Sequence, residues 1–406
     1  MENTAPTVPH RAALCLGVVQ FFLAASWVVY AIYLPQMAGQ AGIAPQYVAW
    51  ILLADQIVFV FADFAAGAYV DRTLAAMRRI APLLVVATVV SCAAFLLLPF
   101  ISPRGADMRW AFLLLTFVWA VSSAALRAPL FGLLGRYASD RDVPWLSSLV
   151  LLGIGVAAAI APYLAVALKG ADPRIPFVLS SAALLLATAS IFWAERNLVG
   201  AGGASSGGAK ANVGMPVLGS SGAAFLFGTL VVAVGFQVHW NMNTAKLFLR
   251  FAQPQELEHL LPIFWVGFNL IMLPATVLTR RHGGLALAGA AAVLGSAALY
   301  LAARATALNV LLVAQFVCGA AWGCILMSAI TAAISLGRTG REGTLSGAFM
   351  AVIALASAAR IGLGASGLNV APGVADKLGV LPAAAWLLGG ALLVALSVAR
   401  ARPATT

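Results

Sequence analysis

A few ionisable side chains stand inside long apolar runs of this sequence, and they are the first candidates for chemistry. They are Asp55, Asp63, Arg127, His239 and Arg360. A charge at the centre of a bilayer costs roughly 2.5–3.5 kcal/mol on insertion scales, so each needs a reason to be there. A carboxyl can carry a proton or pair with a cation. A guanidinium can pair, bind an anionic group or snorkel to the surface. An imidazole can carry a proton, bind a metal or bond a carbonyl. The spacings of hydrolytic and phosphoryl-transfer sites do not occur: the sequence holds no HExxH, no phosphate-binding loop and no nucleophile elbow. An enzyme is therefore not expected, and with no nucleotide-binding motif any energy must come from a gradient.

Uncharged polar and aromatic residues recur at helical spacing beside these charges. Thr116, Trp119, Ser123 and Arg127 fall on one stripe, as do Ser346, Met350, Ser357 and Arg360. Gln20 and Trp27 are seven apart, as are Gln315 and Trp322. The stretch GFQVHWNMNTAKLFLRF, from Gly235, is unusually polar and places Phe236, His239 and Asn243 on one helical face. Trp265, Asn269 and Met272 share another. The candidate solute-binding set is thus Gln20, Trp27, Trp119, Arg127, His239, Asn243, Trp265, Asn269, Gln315 and Trp322. Two ligand chemistries fit. A flat organic solute would use the indole faces and the amides. Cu(I), which favours soft ligands, would use His239, Met242 and Met272. Methionine is also ordinary packing material, and no bound cofactor is expected.

These residues must be positioned by membrane-spanning helices. Of the residues, 62% are hydrophobic and 9% charged, where a soluble protein carries about 25% charged. About twelve runs reach the roughly 20 apolar residues that a spanning helix needs. They lie near 12–34, 46–69, 80–101, 110–133, 144–168, 175–194, 221–243, 260–279, 284–303, 307–335, 344–367 and 379–399. The Gly-, Ala- and Ser-rich stretch at 200–222 reads as a flexible linker. It divides the chain into a six-helix bundle at 1–199 and another at 223–406. With the N-terminus inside, most of the 24 Lys and Arg residues fall on the cytoplasmic side, so both termini are expected there. The same rule accounts for the net charge of +11 without nucleic acid. Cys15, Cys92, Cys318 and Cys324 all lie in apolar runs and suggest no disulfide framework. A multi-pass protein of a cytoplasmic membrane, monomeric in the bilayer, is the expectation.

The stretch GAYVDRTLAAMRR, residues 67–79, opens with Gly67, Asp71 and Arg72 and continues to Arg78 and Arg79. It resembles the loop signature between spans two and three of the major facilitator superfamily, although the second glycine is missing and the arginines come late. The six-linker-six layout resembles that superfamily as well. The resemblance implies a secondary transporter working by alternating access, and protons carried on Asp55 or His239 are the expected drive. It implies a solute site near the midplane between the two repeats. It also implies that Gly67, Asp71 and Arg72 form a latch, with Asp71 facing the N-terminal end of span eleven near Gly343 and Thr344. Asp55 and Arg360 are expected to pair when the outer side closes. The segments HWNMNTAKLFLRF and FWVGFNLIMLP loosely resemble a branch holding bacterial copper importers and riboflavin-importing relatives. The Met and His spacings of its copper members are absent, which favours uptake of a flavin-like solute. The alternatives are copper import, proton-coupled export of a drug or metabolite, and a non-transporting receptor.

Overall fold

The structure is a computed structural model. It describes residues 10–77, 81–124, 126–127, 130–131, 134, 138–139, 141–202, 219–337 and 340–401. Every regular element among these is helical. The long helices are α1 His10–Gln40, α2 Val48–Met77, α3 Ala81–Ile101, α4 Arg109–Ala124, α5 Val143–Ala167, α6 Arg174–Gly202, α7 Ser220–Val238, α8 Pro262–His282, α9 Gly284–Ala303, α10 Leu308–Leu336, α11 Glu342–Ala365 and α12 Leu381–Ala401. Among the described residues, eleven helices are long and apolar enough to cross a membrane. Large apolar side chains point outward from them, with Phe61 72% and Leu294 75% exposed. Such surfaces call for lipid rather than water.

The chain forms two compact units, Met1–Pro216 with Ile334–Ala351, and Val217–Ala333 with Val352–Thr406. Each repeats one packing scheme. In the first, α6 packs on α1 and α3; in the second, α12 packs on α7 and α9. The core of the first unit gathers Tyr30, Tyr33, Phe95, Phe112, Trp119 and Phe177. In the second, Trp386 is fully buried and donates its indole N–H to the Val232 carbonyl at 3.0 Å.

Three local features differ from the pattern read from the sequence. First, α2 runs on to Met77, so Gly67–Arg72 is helix rather than loop. The residues beyond Gly67 are rich in Ala and Leu and contain no proline, so nothing in the backbone stops the helix at the membrane edge. Arg78, Arg79 and linker residues 203–218 lie outside the described residues. Second, α4 is helical to Ala124, and Leu126 and Arg127 follow in a turn. Third, α7 passes into a π-helical turn at His239–Asn243 before a short helix at Thr244–Phe248. Such turns insert a residue into the helical repeat and recur at functional sites.

Candidate functional site

The acids of α2 form a ridge. Asp55, Phe59, Asp63, Gly67 and Asp71 follow one another at four-residue intervals, so neighbours share a helix face. Each acid has a different partner. The Tyr30 hydroxyl donates to Asp55 Oδ2 at 2.8 Å, and Asp55 is buried. Arg127 Nη2 lies 3.3 Å from Asp63 Oδ2, and its guanidinium sits 4.4 Å from the centre of the Phe59 ring. Neither Asp63 oxygen has a hydrogen bond, so Arg127 is what offsets the cost of that fully buried carboxylate.

Asp71 caps a helix that is distant in sequence. The backbone N–H of Gly343 donates to its Oδ1 at 2.7 Å, and the N–H and hydroxyl of Thr344 each donate to its Oδ2 at 2.7 Å. These N–H groups open α11 and have no partner within their own helix. A charged acceptor there gains from both the hydrogen bonds and the helix dipole, about 0.3–1 kcal/mol for the dipole alone. Glycines make the approach possible. A Cβ on Gly67 would overlap the Gly343 carbonyl oxygen, and one on Gly347 would stand 2.5 Å from the Asp63 carbonyl oxygen. Arg72, beside Asp71, is exposed. In the second unit Thr279 and Arg280 close α8 as Asp71 and Arg72 approach the end of α2. There the threonine hydroxyl shares a 3.0 Å hydrogen bond with Ser328.

The first unit's predicted aromatics come together. Trp27 stacks on Trp119 at 5.3 Å, and Tyr30 lies 4.4 Å from Trp119. Phe59 touches Trp27 at 5.4 Å. These rings pack on one another, so only part of their face area is open to anything else. Gln20 is not an open amide: its Nε2 donates to the Leu126 carbonyl at 2.9 Å and fixes the turn that carries Arg127.

In the second unit, Phe236 stacks on Trp322 at 4.1 Å with 6° between planes. Trp265 meets Phe236, Trp240 and Phe264 edge-on. His239 is buried against this group, and its Nε2 lies 3.1 Å from Gln315 Oε1. An amide oxygen only accepts, so the imidazole proton in this contact sits on Nε2. In the π turn the His239 carbonyl accepts from the Thr244 backbone N–H, and the Thr244 hydroxyl donates to the same oxygen at 2.9 Å. Three buried polar atoms here have no partner: Gln315 Nε2, Trp265 Nε1 and Asn269 Oδ1. Nearby, Gln237 Nε2 donates to the Ser357 hydroxyl at 2.7 Å and Asn241 Nδ2 donates to Gln237 Oε1 at 2.8 Å. Arg360 is partly buried, and its Nε has no partner; Asp55, expected as its counter-charge, accepts instead from the Tyr30 hydroxyl.

Sequence spacing thus located most of these groups but not all their duties. Asn243 is committed to the Leu378 carbonyl at 2.8 Å, because the π turn breaks the spacing that aligned it with His239. Met272 is fully buried and Met242 partly so. Tyr30, Phe59, Gln237 and Asn241 were not singled out. The four-residue steps from Asp55 to Phe59 and from Gln237 to Asn241 were the available signals.

A family model described as Major Facilitator Superfamily matches residues 16–361. No curated protein matches by sequence. The fold is similar to that of the human organic anion transporter MFSD10 (TETRAN), at 15% identity and a TM-score of 0.70, covering 95% of this chain and 99% of that one. It is similar to FucP, a Major Facilitator Superfamily transporter in the outward conformation, at 14% identity and a TM-score of 0.70, covering 97% and 98%. A bacterial homologue of the iron transporter ferroportin, in an outward-facing state, aligns at 16% identity and a TM-score of 0.70, covering 96% and 100%. At such identities the structures speak for the fold, whereas the family model spans most of the sequence: the chain belongs to the Major Facilitator Superfamily and is a transporter rather than an enzyme.

Proposed function

We propose that the protein is a secondary active transporter that takes up a planar organic solute, a flavin-like molecule being the working example, by alternating access. The observation that carries this reading is the group on α7, α8 and α10. It combines indole and phenyl rings with buried amide and indole groups that lack partners. Buried polar groups are nearly always paired, so unpaired ones in an otherwise apolar setting mark places where a ligand completes the bonding.

The other parts take consistent roles. Asp55 is the proton carrier: its carboxyl has a hydroxyl partner, and taking up a proton breaks no ion pair there. At Asp63, protonation would strip Arg127 of its partner, so that pair is structural. His239 already bonds Gln315 and orients it. Asp71, Gly67 and Arg72 act as the latch, making and breaking the contact with the start of α11 during the cycle. The protein works as a monomer with both termini cytoplasmic. It has six-helix halves at 1–199 and 223–406 joined by 200–222, and resides in the cytoplasmic membrane.

A thermal-shift screen of the purified protein against flavins, other vitamins, Cu(I) and common drugs tests the solute class. Stabilisation by planar organic compounds and not by Cu(I) is the expected result. Stabilisation by Cu(I) alone, abolished in the Met242→Leu/Met272→Leu variant, would replace it with copper import.

A further inference from the structure

We infer that the solute is an anion, its negatively charged oxygens received by Arg360 and its flat body by the aromatic group of the second unit. The inference rests on the reading of that aromatic group as a solute site, and adds the solute's charge to it.

Among the described residues of the second unit, the buried polar side-chain atoms without a partner are Thr229 Oγ1, Trp265 Nε1, Asn269 Oδ1, Gln315 Nε2 and Arg360 Nε. Three of the five can only donate, one can only accept, and the hydroxyl can do either. The remainder is rich in donors, so whatever completes it must be rich in acceptors.

Charge points the same way. No Asp or Glu occurs in α7, α8, α9, α10, α12 or the part of α11 that belongs to this unit. Arg360 stands five residues before the end of α11; the acids of its unit, Glu256, Glu258 and Asp376, lie in short helices between the spans, and among the described residues none forms an ion pair with it. A guanidinium left so in a membrane span is costly unless a counter-charge arrives. By contrast, Arg127 already has Asp63.

Polar side chains lead up to Arg360. The Gln237–Ser357 bond ties α7 to α11. Asn241 lies one turn beyond Gln237, and Arg360 just under one turn beyond Ser357. In an alternating series of spans, α7 and α11 run the same way, so Asn241 and Arg360 stand at a similar level. Asn241 lies inside the π turn, where the extra residue re-aims the side chains that follow. A carboxylate or a phosphate monoester suits a guanidinium fork equally well.

The test is equilibrium binding to the purified, full-length protein, followed by titration calorimetry, with probe pairs matched in shape. Indole-3-acetate against indole-3-acetamide offers a carboxylate; riboflavin 5′-phosphate against riboflavin offers a phosphate. In at least one pair the anion should bind about ten-fold or more tightly than its neutral partner, the size of one charge-assisted contact. That pair identifies which oxyanion the site takes. Arg360→Gln should close the gap while leaving neutral binding in place, and Arg360→Lys should retain part of it. If the neutral member binds as well as the anion in both pairs, the solute site stands and the inference falls; this needs no variant. A gap that survives Arg360→Gln, or a loss that is equal for neutral and anionic members, also overturns it. Failure of all four probes to bind removes the aromatic-site reading and the inference together.

Discussion

The two units meet the problem of a partly buried arginine in opposite ways. In the first, Arg127 lies against Asp63 and over Phe59, and the leftover atoms of that pair are carboxylate oxygens. In the second, Arg360 has no acid in its unit's long helices, and most of the leftover atoms are N–H donors. The scaffold is the same, with α6 on α1 and α3 echoed by α12 on α7 and α9. What differs is where the acids went: Asp55, Asp63 and Asp71 all sit on α2, whereas α8 carries none. The difference is what the proposed division of labour needs: an acid-bearing helix in the first unit, where Asp63 has Arg127 beside it, and a second unit whose leftover atoms are mostly donors.

The largest expected effect tests the paired arginine. Arg127→Met leaves Asp63 buried and alone, which should cost about 3–5 kcal/mol and appear as a sharp fall in melting temperature or yield. Asp63→Asn combined with Arg127→Met should recover most of it. Arg360→Met should leave the thermal stability of the solute-free protein unchanged or raise it, because it removes a guanidinium without a counter-charge. If it destabilises as much as Arg127→Met, the contrast between the two arginines is wrong.

Asp71→Asn should have an intermediate effect, confined to the cycle. Weakening the three charge-assisted bonds to the start of α11 should slow transport by about ten-fold while solute affinity stays near wild type. Spin-label distances should show a shifted resting population. Lost affinity with unchanged distances would make Asp71 a binding residue and blur the division.

The smallest effect belongs to the methionines. Met242→Leu with Met272→Leu should leave uptake of an organic solute close to wild type, since both residues then serve as packing. Asn269→Ala should impair uptake, because its Oδ1 is one of the unpaired atoms, and Trp119→Ala should do so through the first unit's aromatic wall. A reversed ranking would sharpen the account toward a metal.

How much of this was legible in the sequence varied with the physics involved. The spanning helices were plain, because lipid demands long apolar runs. The facing of Asp71 and the start of α11 was legible through the resemblance of its loop to the superfamily signature; topology alone marked only an acid it had no use for. The end of α2 was not, since leaving the membrane does not stop an Ala-rich helix. Asp63 and Arg127 were each conspicuous, but their pairing depends on the turn after Ala124, which Gln20 holds. Spacing at 3.6 residues per turn misplaced Asn243 because the π turn at 239–243 alters the count. Amides announce that they are polar but not which carbonyl they will take, so Gln20 and Gln315 looked alike. One proved fully engaged through its N–H and the other kept its N–H unpaired.

The division of labour is tested most directly in proteoliposomes, by measuring for each variant both proton-driven accumulation and solute counterflow. Counterflow needs binding and the conformational cycle but no net proton movement. Asp55→Asn should abolish accumulation and preserve counterflow, whereas Arg360→Gln should lower both together for an anionic solute, by about ten-fold at sub-saturating concentration. Loss of counterflow in Asp55→Asn, or normal accumulation in Arg360→Gln, would contradict the account.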